Sequence, residues 1–385
     1  MKVIQYVPHG AIPDVRGFAP AIIGQNLAKH MKFAKPYIIS NAEHYKSNYE
    51  HTNFGDVYRL HESAVYKTLF KKATRLDPYP LHRRAAELTD ILGANIFHAH
   101  QTEFPVKDFL ASCNKKPKVV VQVNAMRNFE PDKNGAPDLY LAASEYTRKR
   151  MLDERNYPKD IVGVLYNGFD EELFYRPTLA EKNGLKSILG IPQNSIVIGY
   201  IGRKQQVKGF YNFLRCVKYL REIGIEIFAL AVGPTPWDTV RDENYEDEQR
   251  LLAELKSKEW FFDMEPLPHD RLCNVYKAID VLLFPTYFGG EQHPIVAVEG
   301  IAAGCVVISS DKFSIPETIE NGVSGILLKE PQNIDELVEV AKKVVLNMDS
   351  FSVMQAAAAD RAKAKFSWSS LTGELEKVYF GNLAH

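Results

Sequence analysis

Cysteine is scarce in this 385-residue chain, and the four present (Cys113, Cys216, Cys273 and Cys305) show no C-x-x-C spacing. That scarcity excludes a disulfide framework and a cysteine-based metal site, and the four read as reduced thiols used mostly for packing. Long apolar runs are missing too: nowhere do eighteen apolar residues follow one another, so no membrane-spanning helix is expected. Residues 1–7 read as a short strand and lack the apolar stretch of a secretory leader, which points to a cytosolic protein. Low-complexity tracts and repeats of short fixed period are absent as well, excluding a disordered or solenoid chain.

What is present is a globular composition, 45% hydrophobic and 25% charged, at a length that suits two cores rather than one. Strand-like runs alternate with helix-like ones: 3–7 then 19–31, 96–99 then 105–112, 119–123, and 139–143 then 145–154. The alternation argues for parallel βαβ units. It restarts at 195–201, followed by a helical stripe of Phe210, Phe213, Leu214, Val217 and Leu220, and continues through 227–232, 281–284 and 306–308. Pro177, Gly184, Gly190 and Pro192 interrupt the pattern between the halves. The expected division is therefore a first domain at 1–176, a linker at 177–192 and a second domain at 193–368.

The net charge of −1 is unevenly shared: residues 1–180 hold 25 basic against 20 acidic residues, and the remainder 22 against 28. Basic charge is densest at 66–84, where Lys67, Lys71, Lys72, Arg75, Arg83 and Arg84 interleave with Leu69, Phe70 and Tyr79. Such a stretch suits an anionic bilayer surface; a solvated helix with an apolar underside is the simpler reading. No RNA- or DNA-reading motif accompanies the basic residues, so a nucleic-acid partner is not expected.

The most specific chemistry lies at 281–304. An apolar strand-like run, 281–284, leads through an exit loop, 285–290, to a helix at 295–303 stopped by Gly304, with Glu291 and Glu299 eight residues apart across the helix start. In an open α/β sheet ligands sit outside the carboxyl ends of strands. A helix start there offers free N–H groups and a positive dipole end to phosphate, while carboxylates suit the paired hydroxyls of a sugar. Taken alone, two glutamates around such a turn also fit a plain surface turn. Upstream, Arg203 and Lys208 follow a strand and precede a helix, between Gly202 and Gly209. At that edge an arginine fork and a lysine point charge can hold a diphosphate and stabilise negative charge as it departs.

These segments occur in order with Asn167-Gly168-Phe169-Asp170, then Phe174 and Pro177, and with Phe366-Ser367-Trp368 near the C-terminal end. Together, over about residues 10–379, they resemble glycosyltransferase family 4, retaining enzymes of the GT-B fold. The resemblance implies an α/β protein of two Rossmann-like, doubly wound parallel-sheet domains facing a central cleft, the first completed by a C-terminal helix within 369–385. It places the catalytic role on Glu291, which would touch the transferred sugar, with Arg203 and Lys208 on the phosphates. Glu299 would bind the ribose, and the donor site would include Gly202, the amides of Ile295 and Val296, and main chain near Leu267 for the base. This chain departs from the common pattern at Gln292, His293 and Pro294. Pro294 removes one N–H, and His293 either bonds the sugar or phosphate or packs within the loop.

On the acceptor side, Arg16-Gly17-Phe18 matches part of a glycine-rich loop, and Asn124 stands where relatives commonly carry a histidine. His100, in a segment shared across the family, either faces the cleft or is a structural histidine, the simpler reading. Without a side-chain base, the leaving phosphate can take the acceptor's proton while the enzyme supplies orientation and charge. No D-x-D motif occurs, so no metal is expected, and no cofactor beyond the nucleoside-diphosphate sugar as substrate. The resulting expectation is a retaining, metal-independent hexosyltransferase using a UDP- or GDP-sugar and a glycan or lipid-linked hydroxyl acceptor. It would serve bacterial envelope polysaccharide, lipopolysaccharide or glycolipid synthesis, in the cytoplasm or peripherally on the inner membrane face. A sugar-nucleotide epimerase of the same fold and a catalytically silent nucleotide-sugar-binding protein are the rival readings.

Overall fold

The structure, a computed structural model, describes residues 1–13, 18–43, 45, 47–124, 135–235, 244–381 and 383. It divides into two compact units, Met1–Asn167 with Trp368–His385, and Gly168–Ser367. The division thus falls earlier than residue 176, and the stretch expected as a linker, 177–192, belongs to the second unit. There Leu179–Ile188 is a helix capped by Thr178. Two of its lysines explain why: Lys182 and Lys186 reach opposite oxygens of buried Asp280 at 2.7 and 2.8 Å, and Asp280 also accepts the Val197 amide at 2.9 Å. Lysines one and two turns into an otherwise linker-like sequence gave no sign of that remote partner.

The first unit holds eight strands in the order β3-β4-β2-β1-β5-β6-β7-β8. They are β1 (Lys2–Ala11), β2 (Lys35–Asn41), β3 (Tyr49–Thr52), β4 (Gly55–Leu60), β5 (Ile96–Ala99), β6 (Lys118–Val123), β7 (Leu139–Ala142) and β8 (Val162–Val164). All pair in parallel except β3, which runs antiparallel to β4. Alternating residues serve opposite faces, as the two-residue strand period requires: Ile4, Tyr6, Val119 and Val121 pack with Phe97, Phe104 and Phe109. Val3, Ile96 and Val120 pack on the other side with Ile23 and Leu27 of helix Ala19–His30 and with Trp368, Leu371, Leu375 and Tyr379 of helix Trp368–Gly381. The C-terminal helix therefore completes the first unit, and it does so through four large side chains that are almost wholly buried.

The second unit is a six-stranded, all-parallel sheet in the order β11-β10-β9-β12-β13-β14. Its strands are β9 (Ile196–Ile201), β10 (Ile227–Val232), β11 (Phe261–Met264), β12 (Val281–Phe284), β13 (Val306–Ser310) and β14 (Ile326–Leu328). The order reverses between β9 and β12, the switch point outside which ligands of doubly wound sheets bind. The expected stripe Phe210, Phe213, Leu214, Val217 and Leu220 is buried on one face of the sheet. Helix Ile295–Ala302 lies against the other face so closely that a Cβ on Gly300 would meet Leu282 at 2.4 Å.

The first part of the basic stretch forms helix Ala64–Thr74, which buries no residue. Val65 and Leu69, four apart on one face, are 72% and 62% exposed and Phe70 is only half-buried, so the expected apolar underside is not packed away. Two cations of the stretch are engaged: Lys67 of this helix pairs with Glu62 at 2.7 Å, and Arg84, in the next helix Leu81–Leu92, lies over the Tyr79 ring. No helix among the described residues is long and apolar enough to cross a membrane.

Candidate functional site

Two loops leave the carboxyl edge at the switch point, and specific contacts tie them together. The loop after β9 runs from Gly202 to Gly209. Gly202 has φ +140° and Gly209 φ +82°, backbone that side-chain-bearing residues rarely adopt. Gly209 is also pressed against the second loop, since a Cβ there would lie 2.5 Å from the Pro285 carbonyl oxygen. From the loop after β12, the Tyr287 amide donates to the Val207 carbonyl at 2.9 Å, and the Thr286 hydroxyl oxygen lies 3.2 Å from the same carbonyl oxygen.

These tethers bring Lys208 and Glu291 into contact. The Lys208 Nζ lies 2.5 Å from Glu291 Oε1, which also accepts from Thr286 Oγ1 at 3.0 Å. The Ser314 hydroxyl donates to the Glu291 carbonyl at 3.2 Å. Lys208 further lies over the Phe288 ring, 4.3 Å from its centroid. Glu291 is buried while Lys208 is half-buried, so a partly exposed cation covers a buried carboxylate. The neighbouring Arg203 differs: its side chain is exposed and forms no hydrogen bond or ion pair with the described residues. An unpaired guanidinium at the carboxyl edge is free to meet a phosphate.

Glu299, in the middle of helix Ile295–Ala302, is 2% exposed. Its Oε1 accepts from His269 Nε2 at 2.6 Å. At the start of that helix, Pro294 occupies the cap, and the Ala297 amide already bonds the Pro294 carbonyl at 3.1 Å. The amides of Ile295 and Val296 have no backbone acceptor among the described residues, as first-turn N–H groups do not. His293 is buried, with Nε2 3.0 Å from the Thr318 hydroxyl and its ring against Phe366 at 5.1 Å between centroids. Those contacts fit the packing reading of this histidine. Leu267 is half-buried in the loop that follows β11.

Sequence reasoning missed Lys204. It is buried beside the exposed Arg203, pairs with Asp263 Oδ1 at 2.7 Å, and donates to the Met264 carbonyl at 3.0 Å, so it clamps the β9 exit to the end of β11. His269, Thr286, Ser314 and Thr318 were missed as well. Each acts through a partner at least several residues away in sequence, and no local pattern marks them.

Of the residues expected on the acceptor side, Gly17 lies outside the described residues. Asn124 directly follows β6, where its amide donates to the Thr102 hydroxyl at 3.2 Å. His100 is buried, with Nε2 2.6 Å from Gln5 Oε1 and its ring stacked on His98. Burial drives its pKa well below the ordinary value. The environment is that of a structural histidine.

Residues 181–361 match the family model described as glycosyl transferases group 1. The chain is 26% identical over 269 residues to a lipopolysaccharide 1,2-N-acetylglucosaminetransferase of Salmonella typhimurium, an alignment spanning 68% of this chain and 67% of that protein. It is 29% identical to a D-inositol 3-phosphate glycosyltransferase of Corynebacterium diphtheriae, over 57% of this chain and 50% of the relative. The match thus spans two thirds of one relative and half of the other. Anabaena HepE, solved in complex with UDP and glucose, superposes with a TM-score of 0.74 over 98% of both chains at 16% identity. The fold is GT-B, and the matches support a glycosyltransferase.

Proposed function

We propose that this protein is a retaining glycosyltransferase that moves a hexose from a nucleoside-diphosphate sugar to a hydroxyl acceptor without a metal. The observation that carries the reading is the arrangement at the β9/β12 switch point: Lys208 on Glu291 at 2.5 Å, Arg203 unpaired, and two free first-turn amides of helix Ile295–Ala302. Cations and amides suit the diphosphate, Glu291 the sugar and Glu299 the ribose hydroxyls. In the reaction, the bond from the anomeric carbon to the diphosphate oxygen breaks, and a bond to the acceptor oxygen forms on the same face. The acceptor's proton passes to the departing phosphate, and Arg203 and Lys208 stabilise the charge that develops there. Lys208 must first exchange its contact with Glu291 for the phosphate, which releases that carboxylate toward the sugar.

The complex of HepE with UDP and glucose supports a UDP-sugar donor; a GDP-sugar is the other candidate. The Salmonella relative supports an envelope-glycan acceptor. Purified protein incubated with labelled UDP- and GDP-sugars and a panel of glycan and glycolipid acceptors, with the product anomer read by NMR, tests the reading. Transfer with retained configuration that survives EDTA is expected. A changed donor stereocentre without transfer would instead mean an epimerase, and binding without turnover a silent binding protein.

The exposed Val65 and Leu69 beside Lys71, Lys72 and Arg75 support a peripheral contact with anionic lipid, each cation contributing about 1 kcal/mol near the surface. Reversing Lys71, Lys72 and Arg75 to glutamate should abolish sedimentation with phosphatidylglycerol vesicles at low salt. Wild-type protein that stays in the supernatant there ends the membrane proposal.

A further inference from the structure

Glu299 is held by a chain of side chains that the donor-site reading does not use. His269 opens helix His269–Ala278, immediately after the loop carrying Leu267, and its Nε2–H donates to Glu299 Oε1 at 2.6 Å. Behind it, the His269 ring packs on Phe174 with centroids 5.0 Å apart, and Phe174 meets Tyr276 of the same helix edge-on at 5.5 Å. Phe174 is itself 1% exposed, so this wall is fixed. A glutamate has three rotatable side-chain bonds, and a carboxylate that must accept two hydroxyls at once works only in one orientation. The bond from the His269 imidazole, with the buried Tyr276 hydroxyl also beside Glu299, sets that orientation while leaving lone pairs on both oxygens for a diol.

We infer that His269 is a positioning residue for recognition of the nucleotide ribose, acting through Glu299 with Phe174 as its backing. The inference rests on the reading of Glu299 as the ribose contact, and it goes beyond that reading by making discrimination for the ribose hydroxyls depend on a residue that need not touch the ligand. It also explains how the segment at 167–177, far from the glutamates in sequence, serves the same site.

The test is calorimetric titration with uridine diphosphate and its 2′,3′-dideoxy counterpart, or the guanosine pair if that binds more tightly. The ratio of the two dissociation constants is compared in wild type, Glu299→Ala, His269→Ala and His269→Gln. Glu299→Ala should erase the preference for the ribose form. His269→Ala should shrink it about tenfold, the size of one misplaced hydrogen bond to a charged group, with affinity for the dideoxy form unchanged. His269→Gln, whose amide nitrogen can donate from nearly the same place, should restore most of it. A preference that His269→Ala leaves intact while Glu299→Ala abolishes it would overturn the inference alone. A preference that survives Glu299→Ala would overturn both it and the ribose assignment.

Discussion

Acid should destabilise the first unit through two buried histidines. On the sheet face that receives helix Trp368–Gly381, Gln5, His98, His100 and Gln122 are buried among apolar residues. His98 Nδ1 lies 2.7 Å from the Tyr379 hydroxyl, His100 Nε2 lies 2.6 Å from Gln5 Oε1, and the two rings stack at 4.5 Å. Burial pushes His98 from 6.5 down to about 3; burial, with His98 alongside, drives His100 well below its ordinary value too. Both are neutral in the folded protein and bind a proton on unfolding once the pH falls below about 6.5. Because the folded values lie below the unfolded ones, the stabilisation is complete above about pH 6.5 and is lost as pH falls, at a slope approaching 1.4 kcal/mol per pH unit for each histidine. At pH 5.5 that amounts to about 1.4 kcal/mol each, or about 3 kcal/mol for the pair. In a unit of this size 1 kcal/mol shifts Tm by about 2–4 °C, so Tm should drop by roughly 6–12 °C between pH 7.5 and 5.5. Ordinary carboxylates titrate mostly below this window. Thermal unfolding followed by near-ultraviolet circular dichroism at pH 7.5, 6.5 and 5.5 measures it in wild type and in the His98→Asn, His100→Gln double variant. A wild-type Tm that is flat across the window, or an equal decline in the double variant, refutes the reasoning.

Three further outcomes follow from the second unit. Arg203→Ala and Lys208→Ala should each lower turnover about a hundredfold or more with little change in Tm; equal losses of stability and turnover would make them structural residues. Gly209→Ala combines a left-handed backbone, costing about 1–2 kcal/mol for a side-chain-bearing residue, with a Cβ 2.5 Å from the Pro285 oxygen. It should push the two loops apart and weaken nucleoside-diphosphate binding in a folded protein, and normal affinity in titration would count against the loop tether. Asp280→Ala leaves Lys182 and Lys186 without their buried partner and should cost about 3–5 kcal/mol of stability; a Tm within 2 °C of wild type, taking about 2–4 °C per kcal/mol, would show that helix Leu179–Ile188 is not anchored by these pairs.

Much of the second unit was legible because its signals are local. An apolar run of four to six residues, a glycine-bearing loop and a helical stripe repeat there, and each element can be read within its own window. The first unit was harder. Strands β2, β3, β4 and β8 are not among the expected runs, nor are the short β11 and β14 of the second unit; β3 is an exposed antiparallel edge whose sequence, Tyr49-Glu-His-Thr52, has no apolar alternation. The expected linker turned out to be a helix for a related reason: its proline and glycine punctuation is local, whereas the Asp280 that anchors it lies about a hundred residues away.

By itself the sequence determined which residues supply cations and carboxylates to the carboxyl edge of the second sheet. Periodicity puts Gly202, Arg203, Lys208, Gly209, Glu291 and Glu299 near a strand end or helix start, and their order with the other segments of the family resemblance is what singles them out. Only the tertiary structure decided which of them touch. That Lys208 covers Glu291 while Arg203 stays open, that buried Lys204 is a clamp, and that His269 holds Glu299 all depend on distances between segments brought together by strand order. Strand order is a property of the whole packed sheet, in which burying both faces of every strand outweighs any local preference, so no single stretch of the chain encodes it.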